Sequence, residues 1–272
     1  MLPFIEIGGR QFPMYSLCIL LGIAGGLVVS AMRAPKRGFL REDAVFSGCY
    51  ACIGLMIGGK ILYLLTILPT LWNHRDQITE PLELIQDLLL GGFVFYGGLC
   101  GALAGILLYA RQFHLDAFRL LDLLTPVIPL VHAVGRVGCF CAGCCYGRPV
   151  DPPFGVYFEA SLTAPHDMAL FPVQLLESAL NLLLFGILLF LGRKPRKKGT
   201  LLGLYLSLYA VLRFGLEFLR YDAERGSFLF LSTSQWISLF LLPVGLWLFF
   251  LREDAALFYK MNFEGKKNTS VN

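Results

Sequence analysis

Apolar residues run along this chain in about seven long blocks, near 13–32, 44–68, 90–110, 117–135, 172–192, 200–219 and 234–251, separated by polar or charged stretches. A helix crossing about 30 Å of hydrocarbon at 1.5 Å per residue needs roughly 20 mostly apolar residues. Each block therefore predicts one spanning helix, the fourth being interrupted by Asp122, Pro126 and Pro129. Lipid offers no partner to backbone N–H and C=O groups, so spanning segments satisfy them internally. The expectation is an all-α integral membrane protein, a bundle of about seven transmembrane helices. Between the fourth and fifth blocks, at about 138–171, Pro149, Pro152, Pro153, Gly155 and Pro165 break the apolar run. They predict a small outward-facing (extracellular or periplasmic) head of turns and short strands. With no repeat or long linker, 1–272 reads as one polytopic membrane domain carrying that insert, and Glu264–Asn272 as a loose end.

Composition supports this reading. Apolar residues make up 56% of the chain, charged residues 15%, and the mean hydropathy is +0.66, far from a soluble domain. The first block follows a polar lead and no small-residue cleavage site follows it, so it is expected to stay as a helix and not to act as a signal peptide. Charge then sets orientation. With the N-terminus outside and the C-terminus in the cytoplasm, fifteen of the 23 basic residues fall inside, including Arg33, Lys36, Arg37, Arg41, Arg111, Arg119 and the run Arg193–Lys198. Seven fall outside and Lys60 lies within a helix, as the positive-inside rule requires. The net charge of +4 is explained by those loops facing anionic lipid, and nucleic acid is not an expected partner.

Ionisable residues at membrane depth are costly and normally face a bundle interior or a water-filled cavity. Arg213, Glu217 and Arg220 are four and three residues apart, predicting one charged helical face. It reads either as a structural ion network or as an anion-binding wall, since guanidinium groups match phosphate and stay charged when desolvated. Arg136 stands four residues after His132, between Gly135 and Gly138. Lys60 and Tyr96 add a cation and a phenol in apolar surroundings, Gly97 and Gly98 follow the phenol, and Gln174 and Glu177 lie three residues apart. Together they predict a polar cavity opening toward the outer leaflet. Gly54 with Gly58, and Gly97, Gly101 and Gly105, recur at the spacing that lets helix backbones approach closely.

Cys18, Cys49, Cys52 and Cys100 sit in apolar blocks, where a thiol behaves as a small hydrophobe. Cys139, Cys141, Cys144 and Cys145 crowd into seven residues at the expected outer face. Their readings are disulfides stapling the head, a reactive or covalently modified thiolate activated by Arg136 or Arg148, a metal site, or inert packing. The spacing lacks the distant second ligand pair of the usual zinc motif, so no metal is assigned from sequence.

Taken in order, Tyr96-Gly97-Gly98-Leu99, Gly135-Arg136-Val137-Gly138, Phe171-Pro172-Val173-Gln174-Leu175-Leu176-Glu177 and Arg213-x3-Glu217-x2-Arg220 resemble the bacterial prolipoprotein diacylglyceryl transferases over most of the chain. The resemblance implies transfer of the diacylglyceryl group of phosphatidylglycerol to the lipobox cysteine of a prolipoprotein at its signal peptide. Glycerol phosphate is released, in the bacterial cell membrane, without metal or soluble cofactor. It implies that Arg136 and Arg213 hold the phosphate, that Glu217 orients a guanidinium, and that Tyr96 with Gly97 and Gly98 lines the reaction centre. Lys60, His132, Cys139, Gln174, Glu177 and Arg220 become candidate substrate-binding residues, and Cys144 a candidate catalytic thiol or self-acylated intermediate. The family usually has His at Tyr96, Asn at Cys139, an acidic residue at Cys144, His at Phe171 and Arg at Lys60, which marks this chain as a divergent, cysteine-rich branch. Two other classes compete: a membrane thiol-disulfide protein using Cys139–Cys145, and a paralogous lipid-binding protein or a transferase with another acceptor.

Overall fold

The structure, a computed structural model, describes residues 2–73, 88, 91–161, 163–194, 197–221 and 227–250. The basic positions Arg75, Arg196, Arg225, Arg252, Lys260, Lys266 and Lys267, and the tail Glu264–Asn272, lie outside the described residues.

A short antiparallel hairpin, β1 (Phe4–Ile7) and β2 (Arg10–Pro13), leads into α1 (Met14–Arg33). Then come α2 (Arg41–Asn73), α3 (Phe95–Gln112), α4 (Ala117–Leu124), α5 (Val127–Ala142), α6 (Val173–Leu191) and α7 (Thr200–Glu217). A two-residue hairpin, β3 (Ser227–Phe228) with β4 (Leu231–Ser232), precedes α8 (Thr233–Phe250). Every predicted span coincides with a helix, and the fourth is split into α4 and α5. Pro126 lacks the N–H that would continue the helix, and Thr125 Oγ1 turns back to the Leu121 carbonyl at 2.7 Å. Among the described residues, six candidate membrane spans, one of them α4 and α5 taken together, are long and apolar enough to cross a membrane. The 18-residue α3 stands outside those six, its apolar content diluted by four glycines and by Arg111 and Gln112.

The chain packs as two compact units. One consists of Ala31–Leu120 and is built around α2 and α3. The two helices meet backbone to backbone: a Cβ at Gly54 would collide with the Gly101 carbonyl, and one at Gly105 with the Tyr50 carbonyl. The small-residue series read from the sequence is this seam. Asp43 accepts the Leu40 N–H at 2.9 Å, closing the start of α2, and the Tyr109 hydroxyl at 3.0 Å.

The other unit holds the chain up to Ser30 and from Leu121 onward. Asp122, which seemed to spoil the fourth span, has a structural purpose. Its two carboxylate oxygens accept the N–H groups of Gly199 (2.8 Å) and Leu202 (3.0 Å) at the start of α7. A carboxylate there satisfies orphan donors and meets the positive end of the helix dipole. Past α5 the chain leaves through Gly143, whose φ of 74° lies in the left-handed region open to glycine. The expected head is helical as far as Ala142 and irregular after it. Fully buried Phe158 packs with Ala164 and Leu170 against Phe140 and Tyr146. Backbone hydrogen bonds then tie this segment to the residues just before α6 and just after α7: Gly147 N–H donates to the Phe171 carbonyl (3.0 Å), and Arg148 N–H to that of Leu219 (3.0 Å).

Candidate active site

Glu177, on the first turns of α6, is fully buried, and three cationic or polar side chains converge on it. Arg136 of α5 places Nε 3.1 Å from Oε1, His132 one turn earlier places Nε2 3.3 Å from the same oxygen, and Arg220 places Nη1 3.8 Å from Oε2. Arg136 Nε also lies 3.2 Å from His132 Nε2. A guanidinium Nε carries one proton, and here it is donated to His132 Nε2, which accepts it, so the contact of Arg136 with Glu177 is an ion pair. Arg213 lies within electrostatic reach of the same carboxylate, pairs with Glu217 at 2.7 Å and donates to Ser234 Oγ at 2.9 Å. Three arginines from α5, α7 and the segment after α7 thus surround two carboxylates.

The expected stripe on one helix is corrected at one position. The seventh helical segment, α7, ends at Glu217, and Arg220 sits in a bridge with Gly147 instead of on the helix. The head segment extends the chain there, and the Arg220 side chain, 3% exposed, turns to Glu177. Burying two guanidinium groups beside one carboxylate offsets their desolvation, which would otherwise cost several kcal/mol per ion. Arg136 keeps a 15% exposed side chain, so part of its fork remains available to an anion.

Gln174, also fully buried, donates Nε2 to the Cys144 carbonyl at 2.8 Å and anchors the loop after α5, while its Oε1 has no hydrogen-bond partner. Cys139, Cys144 and Cys145 come together: their sulfurs all lie within 4.8 Å of one another. All eight cysteines are free thiols. Hydrogen bonds from the Cys139 and Cys144 thiols, with help from Arg220 and Arg136, hold Cys145 well below the usual thiol range despite burial. Cys144 moves up: its hydrogen bond with Cys139 favours the thiolate, but its bond with Cys145 and burial outweigh that.

Lys60, Tyr96, Gly97 and Gly98 belong to the α2–α3 unit. Lys60 Nζ donates to the carbonyls of Gly91 (2.9 Å) and Gly92 (3.4 Å) and lies 5.0 Å from the Tyr63 ring centroid. Tyr96 is 40% exposed and meets Phe95 edge to face. Gly97 and Gly98 are buried against α2, where Cβ atoms would strike the Gly58 carbonyl and the Phe93 ring.

Several participants escaped sequence reasoning. Ser234 fixes Arg213, the Tyr209 ring lies 5.6 Å from that of His132, and Tyr15 of α1 is within electrostatic reach of Arg136 and the thiols. Ser178 Oγ locks α6 to α5 through the Ala133 carbonyl at 2.9 Å. Isolated serines and tyrosines in apolar runs carry no spacing signal.

A family model described as prolipoprotein diacylglyceryl transferase matches residues 3–251. The chain belongs to that family. It is 38% identical over 245 residues to the phosphatidylglycerol–prolipoprotein diacylglyceryl transferase of Clostridium tetani, covering 90% of this chain and 94% of that one. It is 36% identical over 266 residues to phosphatidylglycerol–prolipoprotein diacylglyceryl transferase 2 of Clostridium perfringens (97% and 96% covered). It is also 34% identical over 249 residues to the enzyme of that name from Vibrio atlanticus (89% and 86%).

Proposed function

We propose that this multi-pass membrane protein transfers the diacylglyceryl group of phosphatidylglycerol to the lipobox cysteine of a prolipoprotein, the first step of lipoprotein maturation. It works in the bacterial cell membrane with its N-terminus outside and its C-terminus in the cytoplasm. The observation that carries this reading is Arg136, a guanidinium held by Glu177 inside an apolar chain and still partly open.

The reaction is a displacement. The peptide thiol gives its proton to solvent, its sulfur bonds to the carbon of the diacylated glycerol that bears the phosphate, and that C–O bond breaks. Glycerol phosphate leaves with the electron pair. Negative charge therefore shifts from sulfur to the departing phosphate oxygen, and fixed guanidinium donors in a water-poor site stabilise such charge without reorganising. Arg136 and Arg213 are assigned to the phosphate, Glu217 to orienting Arg213, and Glu177 to holding Arg136 and Arg220. Gln174 positions the Cys144 loop. Tyr96, with a reference pKa of about 10, is assigned a hydrogen-bonding part, and with Lys60, Gly97 and Gly98 it is supported by the resemblance alone. His132 and Cys139 border the arginine site. The Cys144 thiol is pushed up by its bond with Cys145 and by burial, and a self-acylated Cys144 predicts an adduct that Cys144→Ser abolishes.

Complementation of a strain depleted of its own transferase tests the reading. The protein is expected to restore growth and lipoprotein processing, and Arg136→Ala to fail. Failure of the parent protein, when present in the membrane and inactive on phosphatidylglycerol in vitro, would refute it.

A further inference from the structure

Three thiols meet where α5 gives way to the head. Cys139 lies on the last turn of α5, and Cys144 and Cys145 follow the left-handed turn at Gly143. We propose that Cys139, Cys144 and Cys145 form a three-thiolate binding site for a thiophilic d10 cation of the zinc class.

The geometry is close to that of a coordination sphere. Zinc–thiolate bonds of about 2.3 Å put sulfurs sharing one ion roughly 3.8 Å apart. The three sulfurs here lie within 4.8 Å of one another, so a closure of about 1 Å, reached by side-chain torsion, completes the sphere. The backbone is already set for it. Cys145 adopts φ 60°, a left-handed conformation that is costly for a non-glycine residue. The Cys144 N–H donates to the Cys139 carbonyl at 3.1 Å, and Gln174 holds the Cys144 carbonyl. The strained turn brings two adjacent cysteines and a third, five residues earlier, to one point.

The spacing argument against zinc required a second, distant ligand pair. That argument applies to closed four-ligand sites; three protein ligands with an open fourth position form the other established arrangement. Charge favours the cation too. Three thiolates and a divalent ion sum to a single negative charge, and Arg136 and Arg220 both act on Cys145. As each sulfur–metal bond forms, any proton on that thiol passes to water. The metal keeps its oxidation state and no electron moves. A disulfide would use two of the three sulfurs and leave the third without a purpose.

Full-length protein, purified in detergent under reducing conditions and stripped with chelator, is titrated with Zn2+ against a competing chelator. Co2+ serves as the spectroscopic probe. One ion per chain is expected, with a near-ultraviolet thiolate-to-cobalt band and an X-ray absorption shell of three sulfurs at about 2.3 Å. Cys139→Ser, Cys144→Ser and Cys145→Ser should each weaken binding by more than about 100-fold, beyond the loss of an outer-shell partner. Cys141→Ser, in the same segment but outside the cluster, should bind as the parent does, and thermal unfolding checks that every variant is folded. The proposal falls if reduced parent protein takes up no stoichiometric zinc, or if a triple Cys139/Cys144/Cys145→Ser variant still binds it. It falls equally if a disulfide within the trio is found and its reduction yields no zinc site. None of these readouts depends on transferase activity.

Discussion

Replacing Glu177 by glutamine keeps the side-chain volume and removes one buried charge. In the structure that charge faces Arg136 at 3.1 Å, His132 at 3.3 Å and Arg220 at 3.8 Å, with none of the carboxylate exposed. An amide presents one acceptor and two donors, so it turns N–H groups toward at least one guanidinium. Breaking a buried pair by removing one partner costs about 3–5 kcal/mol, because the remaining charge stays desolvated without compensation. Here two guanidiniums depend on the same carboxylate, which places the expected loss at the upper end of that range. At about 2–4 °C per kcal/mol for a chain of this size, the midpoint of thermal unfolding in detergent should fall by roughly 10–20 °C. Transfer at permissive temperature should fall as well, since Arg136 and Arg220 lose the anchor that aims them. Glu217→Gln, at a carboxylate that is paired with Arg213 and still 8% exposed, should cost less. A Glu177→Gln protein that unfolds within about 2 °C of the parent and transfers at the parental rate would refute the reasoning.

Three further outcomes follow from local contacts. Asp122→Asn weakens the cap of α7 and should destabilise by about 1–2 kcal/mol, read as a lower midpoint in thermal unfolding. Gly101→Val drives a branched side chain into the Gly54 carbonyl and should cost about 1–3 kcal/mol, again read by thermal unfolding. The Cys145 thiol is held low by Cys139, Cys144 and the two arginines, so its labelling by iodoacetamide in metal-free protein should lose less rate between about pH 8 and about pH 6 than that of an ordinary thiol, which slows about tenfold per unit below its pKa of about 8.5. In sign, a depressed folded pKa contributes stability that is complete above the ordinary thiol value and fades as pH falls toward the folded one.

The helices were legible because a lipid solvent imposes a length and composition that few sequences meet by chance. Pro126 marked the break between α4 and α5, while Pro129 is accommodated in the first turn of α5. Arg136 and Glu177 could be named as candidates because charge at membrane depth is costly, yet their pairing joins α5 to α6 and has no sequence spacing. Arg220 was misjudged for a related reason. Three-residue spacing assumes the helix continues, and the head's hydrogen bonds to Leu219 and Tyr221 end it. Asp122 read as a defect because its partners, Gly199 and Leu202, are some eighty positions away. The convergence of three sulfurs depends on left-handed backbone at Gly143 and Cys145; glycine announces such a turn, and cysteine does not.

On the proposed mechanism, Arg136 and Arg213 grip the phosphate of phosphatidylglycerol while a peptide thiolate displaces it. The most direct measurement incubates purified protein with labelled phosphatidylglycerol and a lipobox peptide, counting thioether product and glycerol phosphate for the parent, Arg136→Ala and Arg213→Ala. The account predicts equal amounts of both products from the parent and a fall of about 10²–10³ in turnover for each folded variant, the size of losing one fixed oxyanion donor. Undiminished turnover in both variants would contradict it.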